Sequence, residues 1–165
     1  MAENTKGTNG EGTAAGAPPI QAQIVGQYVK DLSFESPNIT KLLGGPGDNP
    51  NLKIEVNVNA KRVGNDLYES GIEFKAVATN NIGTIYDLEA VYAGLFKITS
   101  IPPEALEPFL LINGPTLIFP FLRRIVADLT REGGFPPLLL DPIDFAGLYI
   151  RRRQEAGAAG KSLVS

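Results

Sequence analysis

Tyr28-Val29-Lys30-Asp31-Leu32-Ser33-Phe34-Glu35-Ser36-Pro37 decides the fold of this chain. A strand sends alternate side chains to opposite faces, so Tyr28, Leu32 and Phe34 should share one face and Asp31, Ser33 and Glu35 the other. The first face is too apolar to leave in water. The second is too acidic to bury. A sheet covered on one side and open on the other accommodates both, and the stretch around this segment, residues 20–35, reads as its first strand.

Three more strands follow the same logic. Ile54, Val56, Val58 and Ala60 alternate with Lys53, Glu55, Asn57 and Asn59. Ile72, Phe74, Ala76 and Ala78 alternate with Glu73 and Lys75, and then Tyr86, Leu88, Ala90, Tyr92, Phe96 and Ile98 with Asp87 and Glu89. Gly64-Asn65-Asp66 and Asn80-Asn81-Ile82-Gly83 supply turn chemistry between them, which predicts an antiparallel meander. Residues 36–50 hold Pro37, Gly44-Gly45-Pro46-Gly47 and Pro50. They form a long crossover rather than a hairpin turn, and connections of that length are often functional. Leu42 and Leu43 are its apolar residues.

Helices should cover the apolar face. Pro102 and Pro103 open a short helix over 104–112, interrupted by Pro108, and Asn113-Gly114-Pro115 is expected to break the chain. A main helix over 116–132 then carries Ile118, Leu122, Ile125 and Leu129 as one stripe and stops at Gly133-Gly134. Leu117, Phe121 and Val126 widen its apolar surface beyond what one sheet needs. Phe135-Pro136-Pro137 is extended, and Asp141-Pro142 reads as a cap before a final helix bearing Phe145, Leu148 and Tyr149. The fold class is α+β: a four-stranded antiparallel sheet with a long crossover after strand 1, one long covering helix and a C-terminal helix. Residues 1–19 and 157–165 are expected to be disordered tails around one domain at 20–156.

Composition removes many chemistries. The chain has no His and no Cys, so disulfides, Cys/His zinc sites and Ser-His-Asp or Cys-His nucleophile systems are excluded. Gly44-Gly45-Pro46-Gly47 lacks the Lys and Ser/Thr of a phosphate-binding loop, and no cofactor is expected. With a net charge of −3 among 165 residues, affinity for nucleic acid is not expected. Arg123-Arg124 and Arg151-Arg152-Arg153 read as solvated helix faces. No uninterrupted apolar run is long enough to span a bilayer and the first residues lack a signal-peptide core, which predicts a cytoplasmic protein without stable membrane insertion.

Two surfaces remain. Asp31, Glu35, Asp87 and Glu89 fall on one sheet face, which fits an electrostatic dock for a basic partner. A merely solvated face and a carboxylate-pair hydrolase are the alternatives, and the hydrolase would need its acids in a cleft with unequal surroundings. The apolar excess fits a homo-oligomer, with or without a groove for unfolded chains lined by Leu42, Leu43, Phe135, Phe145 and Tyr149.

Four segments, in order, resemble the SecB family of export chaperones. They are residues 28–38, Asp87-Leu88-Glu89-Ala90-Val91-Tyr92-Ala93-Gly94-Leu95-Phe96, Phe119-Pro120-Phe121-Leu122-Arg123, and Gly134-Phe135-Pro136-Pro137-Leu138-Leu139-Leu140-Asp141-Pro142-Ile143-Asp144-Phe145. The likeness extends over about residues 21–153. It implies a homotetramer, a dimer of dimers, that needs no ATP, catalyses no reaction, holds precursor proteins unfolded in the cytoplasm and passes them to the translocation motor SecA. Asp31, Glu35 and Glu89, with Asp87 beside them, would then contact the basic, zinc-bearing tail of SecA. Asp87 stands where some relatives carry an apolar residue. Phe34, Leu42, Leu43, Phe135, Phe145 and Tyr149 would meet clients. Leu88, Ala90 and Tyr92, with the stripe Ile118, Leu122, Ile125 and Leu129, would serve assembly. An oligomeric scaffold without client capture is the competing expectation.

Overall fold

The computed structural model describes residues 19–162 apart from 46 and 48. Strands β1 (Gln21–Glu35), β2 (Asn51–Gly64), β3 (Leu67–Asn80) and β4 (Gly83–Thr99) form one sheet in the order β1-β4-β3-β2, antiparallel throughout. The crossover therefore carries the chain from one sheet edge to the other. Leu42 anchors it in the core, while Leu43 is 80% exposed. Of the expected tails, residues 1–18 lie outside the described residues. At the other end, helix α3 (Phe145–Ser162) runs past the expected boundary at Ala156.

The alternation read for β2, β3 and β4 sets one face of the sheet. Ile72 sits opposite both Val58 and Tyr92, and Phe74 opposite Val56 and Ala90. β1 departs from simple alternation. Its register against β4 shifts between Ile24 and Gly26 and again between Val29 and Asp31. Each bulge inserts a residue and reverses the parity of what precedes it. Leu32 and Phe34 do face inward, opposite Ala90 and Leu88, but Tyr28 lies opposite Ala93 on the outer face with Asp31, Ser33 and Glu35. Val29, opposite Tyr92, takes the inward place expected of Tyr28.

The cover also differs from expectation. Helix α1 (Pro103–Pro108) passes through a wider-wound turn at Phe109–Asn113 straight into α2 (Gly114–Glu132). Asn113 and Gly114 both keep right-handed helical dihedrals, so Asn113-Gly114-Pro115 does not break the chain. A proline clashes with the carbonyl four residues before it, and winding to an i→i+5 pattern relieves that clash. Gly114 N–H accordingly donates to the Phe109 carbonyl. In the same pattern the Leu110 carbonyl would accept from residue 115, but Pro115 has no N–H. Buried Ser70 of β3 fills the vacancy, its Oγ donating to Leu110 O at 2.6 Å.

α2 lies over β4 and β3. Ile118, Phe119, Leu122, Val126 and Thr130 face the sheet and are buried. A methyl group on Gly94 would sit 2.9 Å from Ile118 and from the Phe96 ring, so the small residue permits this close crossing. At the far end Thr130 Oγ1 accepts from Leu138 N at 2.8 Å, pinning the extended segment after α2 along the helix. Among the described residues, the helix Pro103–Glu132 is long and apolar enough to cross a membrane by length and composition; its buried side is the cover of the sheet.

Candidate functional site

Antiparallel register brings the four expected acids together. Glu35 lies directly opposite Asp87, Ser33 opposite Glu89, and Asp31 opposite Val91, all on the face away from the helices. Asp31, Glu35 and Glu89 are exposed and Asp87 is half-buried. Lys75 of β3, which sequence reading left as an ordinary outward residue, is their counter-ion. Its Nζ lies 2.5 Å from Glu89 Oε1 and 3.7 Å from Asp87 Oδ2. The hydrogen bond to Glu89 outweighs desolvation and, with the charge of Asp87, raises the Lys75 pKa. Asp31 and Glu35 have no ion-pair partner among the described residues. Asp87 Oδ1 is buried and finds no hydrogen-bond donor among them. One cation therefore serves a cluster of carboxylates, and the face keeps an excess of negative charge. Asp31 and Glu89 border a shallow concavity of about 500 Å³ lined also by Glu55, Glu73 and Lys75, open to solvent rather than enclosed with the unequal surroundings that carboxylate-pair hydrolysis needs.

Beside this cluster, Glu69 closes a clasp that the sequence did not disclose. Lys30 Nζ donates to Glu69 Oε1 at 2.7 Å, Lys61 Nζ lies 3.6 Å from the same oxygen, and the Tyr28 hydroxyl donates to Oε2. The Glu69 side chain is 7% exposed. Burial pushes its carboxyl upward, but the hydrogen bonds from Lys30 and Tyr28 and the charges of Lys30 and Lys61 hold it below the ordinary carboxylate value. Donation to Glu69, reinforced by burial and the nearby negative charge, pushes the Tyr28 phenol up to about 12. The clasp ties β1 to β3 across β4, and Lys30 stands within the second bulge. A stable bulge there is what sends Asp31 outward. Lys61 opposite Glu69 on adjacent strands was the available signal, but Tyr28 was assigned to the wrong face.

The apolar residues expected to meet clients do not form one groove. Phe34 stacks on Tyr86 at 5.6 Å, and Phe135 lies 5.4 Å from Tyr86. A methyl on Gly133 would fall 2.5 Å from the Phe34 ring, so this glycine lets the ring pass the end of α2. Phe145 packs edge-on against Phe119 and is buried. Tyr149 stands apart, half-buried, donating to Glu107 Oε1 and accepting from Arg153. Leu42 is buried and Leu43 projects from the crossover.

The expected assembly residues separate too. Leu88, Ala90, Tyr92, Ile118 and Leu122 belong to the protomer's own core, and Ile125 and Leu129 are half-buried. The uncovered apolar area lies next to them. Val29 and Leu32 remain exposed on the inner face of β1, beyond the reach of α2, and Leu117 and Phe121 are about half exposed on the helix. Phe121 stacks on Tyr92 with rings 8° from parallel, which makes strand and helix surfaces one continuous patch.

Comparison with known proteins agrees with this architecture. The family model described as preprotein translocase subunit SecB matches residues 15–156. A protein-export protein SecB from Rhodopseudomonas palustris is 41% identical over 93% of this chain and 98% of its own length. One from Methylocella silvestris is 46% identical over 91% and 94%, and one from Afipia carboxidovorans 48% identical over 83% and 85%. Among solved structures, a SecB-like chaperone from Mycobacterium tuberculosis, in complex with a peptide from an antitoxin, superposes with a TM-score of 0.60. It covers 74% of this chain and 90% of its own at 18% identity, a likeness of fold.

Proposed function

The chain belongs to the SecB family and is a chaperone of protein export, and from that premise we propose that it is a holdase that works in the cytoplasm and delivers its clients to SecA. In this reading it captures unfolded precursor proteins, keeps them competent for translocation, and hands them over without nucleotide and without catalysing a reaction. The observation that carries the reading is the opposition of two surfaces on one sheet. Asp31 and Glu35 face outward without counter-ions among the described residues, while Val29 and Leu32 on the other face continue into Leu117 and Phe121.

Each surface has a separate physical task. The acid face attracts the basic tail of SecA, with Asp31, Glu35, Asp87 and Glu89 as its contacts. Such attraction accelerates encounter and weakens with salt. The apolar patch joins protomers into a dimer of dimers. Phe34, Leu42, Leu43, Phe135, Phe145 and Tyr149 receive client side chains, those that are buried doing so only after local opening around the crossover and α3. Burying about 600 Å² of client apolar surface is worth on the order of 15 kcal/mol gross at about 25 cal/mol per Å². Ordering an extended client offsets much of that. The remainder retains a slow folder and releases a fast one.

Light scattering from an unfolded precursor diluted into buffer tests the holdase. Stoichiometric chaperone should suppress the rise in scattering. An unchanged rise would leave only an oligomeric scaffold.

A further inference from the structure

The lysines on the outer face of the sheet are held in two different ways. Lys30 and Lys61 are drawn to Glu69, whose side chain is buried. Removing either would leave that carboxylate buried with less charge to meet it, so the clasp is firm. Lys75 instead lies among groups that water reaches. Register places Glu55, Lys75, Glu89 and Ser33 in one row across β2, β3, β4 and β1. Lys75 therefore has a carboxylate on either side. Its Nζ lies 2.5 Å from Glu89 Oε1 and 3.7 Å from Asp87 Oδ2. Glu55 is left to Lys53, at 2.9 Å, although its charge also acts on Lys75.

An ion pair open to solvent is worth little, because water and salt screen it. Lys75 can therefore be displaced. An arginine on an incoming basic segment brings a planar fork of donors that a lysine ammonium does not match. Once displaced, Lys75 finds Glu55 directly opposite on β2 as an alternative berth. Asp31 and Glu35 on β1 need no such exchange, since neither is in an ion pair among the described residues.

We propose that Lys75 is an autoinhibitory cation built into the dock, which occupies Glu89 and Asp87 while the face is empty and yields them to a basic partner. Autoinhibition rests on the docking reading of this face and adds its regulation. Lys75 keeps the affinity for the motor below what four carboxylates would reach. A complex formed by electrostatic attraction can then come apart after the client has been handed over. The sign of this effect is opposite to that of a brace: if Lys75 merely organised the acids, removing it would weaken docking.

Titration calorimetry of SecA with the full natural chain and with Lys75→Gln reads that sign. Gln can still donate to Glu89 but carries no charge. Affinity should rise about fivefold at low salt, the size of a favourable exposed ion pair, and should fall more steeply as salt is added. Lys75→Arg keeps the charge and offers the carboxylates a firmer fork, so it should bind SecA no more tightly than the natural chain. Capture of an unfolded precursor should be the same in all three. Unchanged or weaker SecA binding by Lys75→Gln overturns the proposal. So does equal tightening in Lys75→Arg, or loss of capture in Lys75→Gln, which would make Lys75 a structural brace. Glu35→Lys/Glu89→Lys in the same titration separates autoinhibition from docking. If charge reversal weakens binding and Lys75→Gln does not strengthen it, autoinhibition alone falls. If neither changes binding, the dock falls with it.

Discussion

Asp87 is the residue at which stability and the proposed docking pull apart. It sits opposite Glu35, and one of its oxygens is buried without a donor among the described residues. Like charges directly opposed across a ladder cost about 0.2–1 kcal/mol, and a cationic partner would relieve that cost. Asp87→Asn should therefore gain up to about 1 kcal/mol in urea denaturation while weakening SecA binding, as followed by titration calorimetry. Glu69 gives the complementary case. Its pKa is lowered in the fold, so its contribution is present above its ordinary value near 4.5 and is lost as pH falls below it. Tyr28 is raised from 10.0 to about 12, so its contribution is whole below pH 10 and disappears as pH rises toward 12. Thermal unfolding against pH should decline at both ends, and Tyr28→Phe should remove the phenol's alkaline contribution and also soften the acid decline, because its hydroxyl helps hold Glu69 down.

At the scale of elements, the strands were legible because their alternation is long and their turns carry Gly, Asn and Asp. Ile72, Phe74, Leu88 and Ala90 fall where period two puts them, and the acids of β1 and β4 share the face expected of them. Tyr28 did not, because a bulge adds one residue without leaving a pattern in composition. The helix was misread at Asn113-Gly114-Pro115 for a different reason. Those residues end helices when nothing else meets the lost hydrogen bond, and here Ser70, distant in sequence, meets it. Ser70→Ala should strand the Leu110 carbonyl and cost about 1–3 kcal/mol in chemical denaturation. The client residues were recognisable as apolar and conspicuous, but their partition among separate places depends on packing that no local pattern encodes.

At the scale of the whole molecule, one stretch of the uncovered apolar area runs from Val29 and Leu32 to Leu117 and Phe121. The expected assembly residues lie just behind it, because pattern reading finds the apolar stripe of a helix but not the angle at which it meets the sheet. Leu117→Ser/Phe121→Ser should reduce the mass seen by light scattering below that of the proposed tetramer, and leave a folded protomer by circular dichroism. An unchanged mass would place the interface elsewhere. The opposite side of the sheet is untouched by this change, so its carboxylates can be altered independently.

That independence is the centre of the account, and charge reversal tests it most directly. The SecA affinity of Glu35→Lys/Glu89→Lys, measured beside its capture of an unfolded precursor, should fall more than about tenfold, the effect of about 1.4 kcal/mol, with capture retained. Loss of both together, or neither, would contradict a chaperone whose motor dock is separate from the residues that receive its clients.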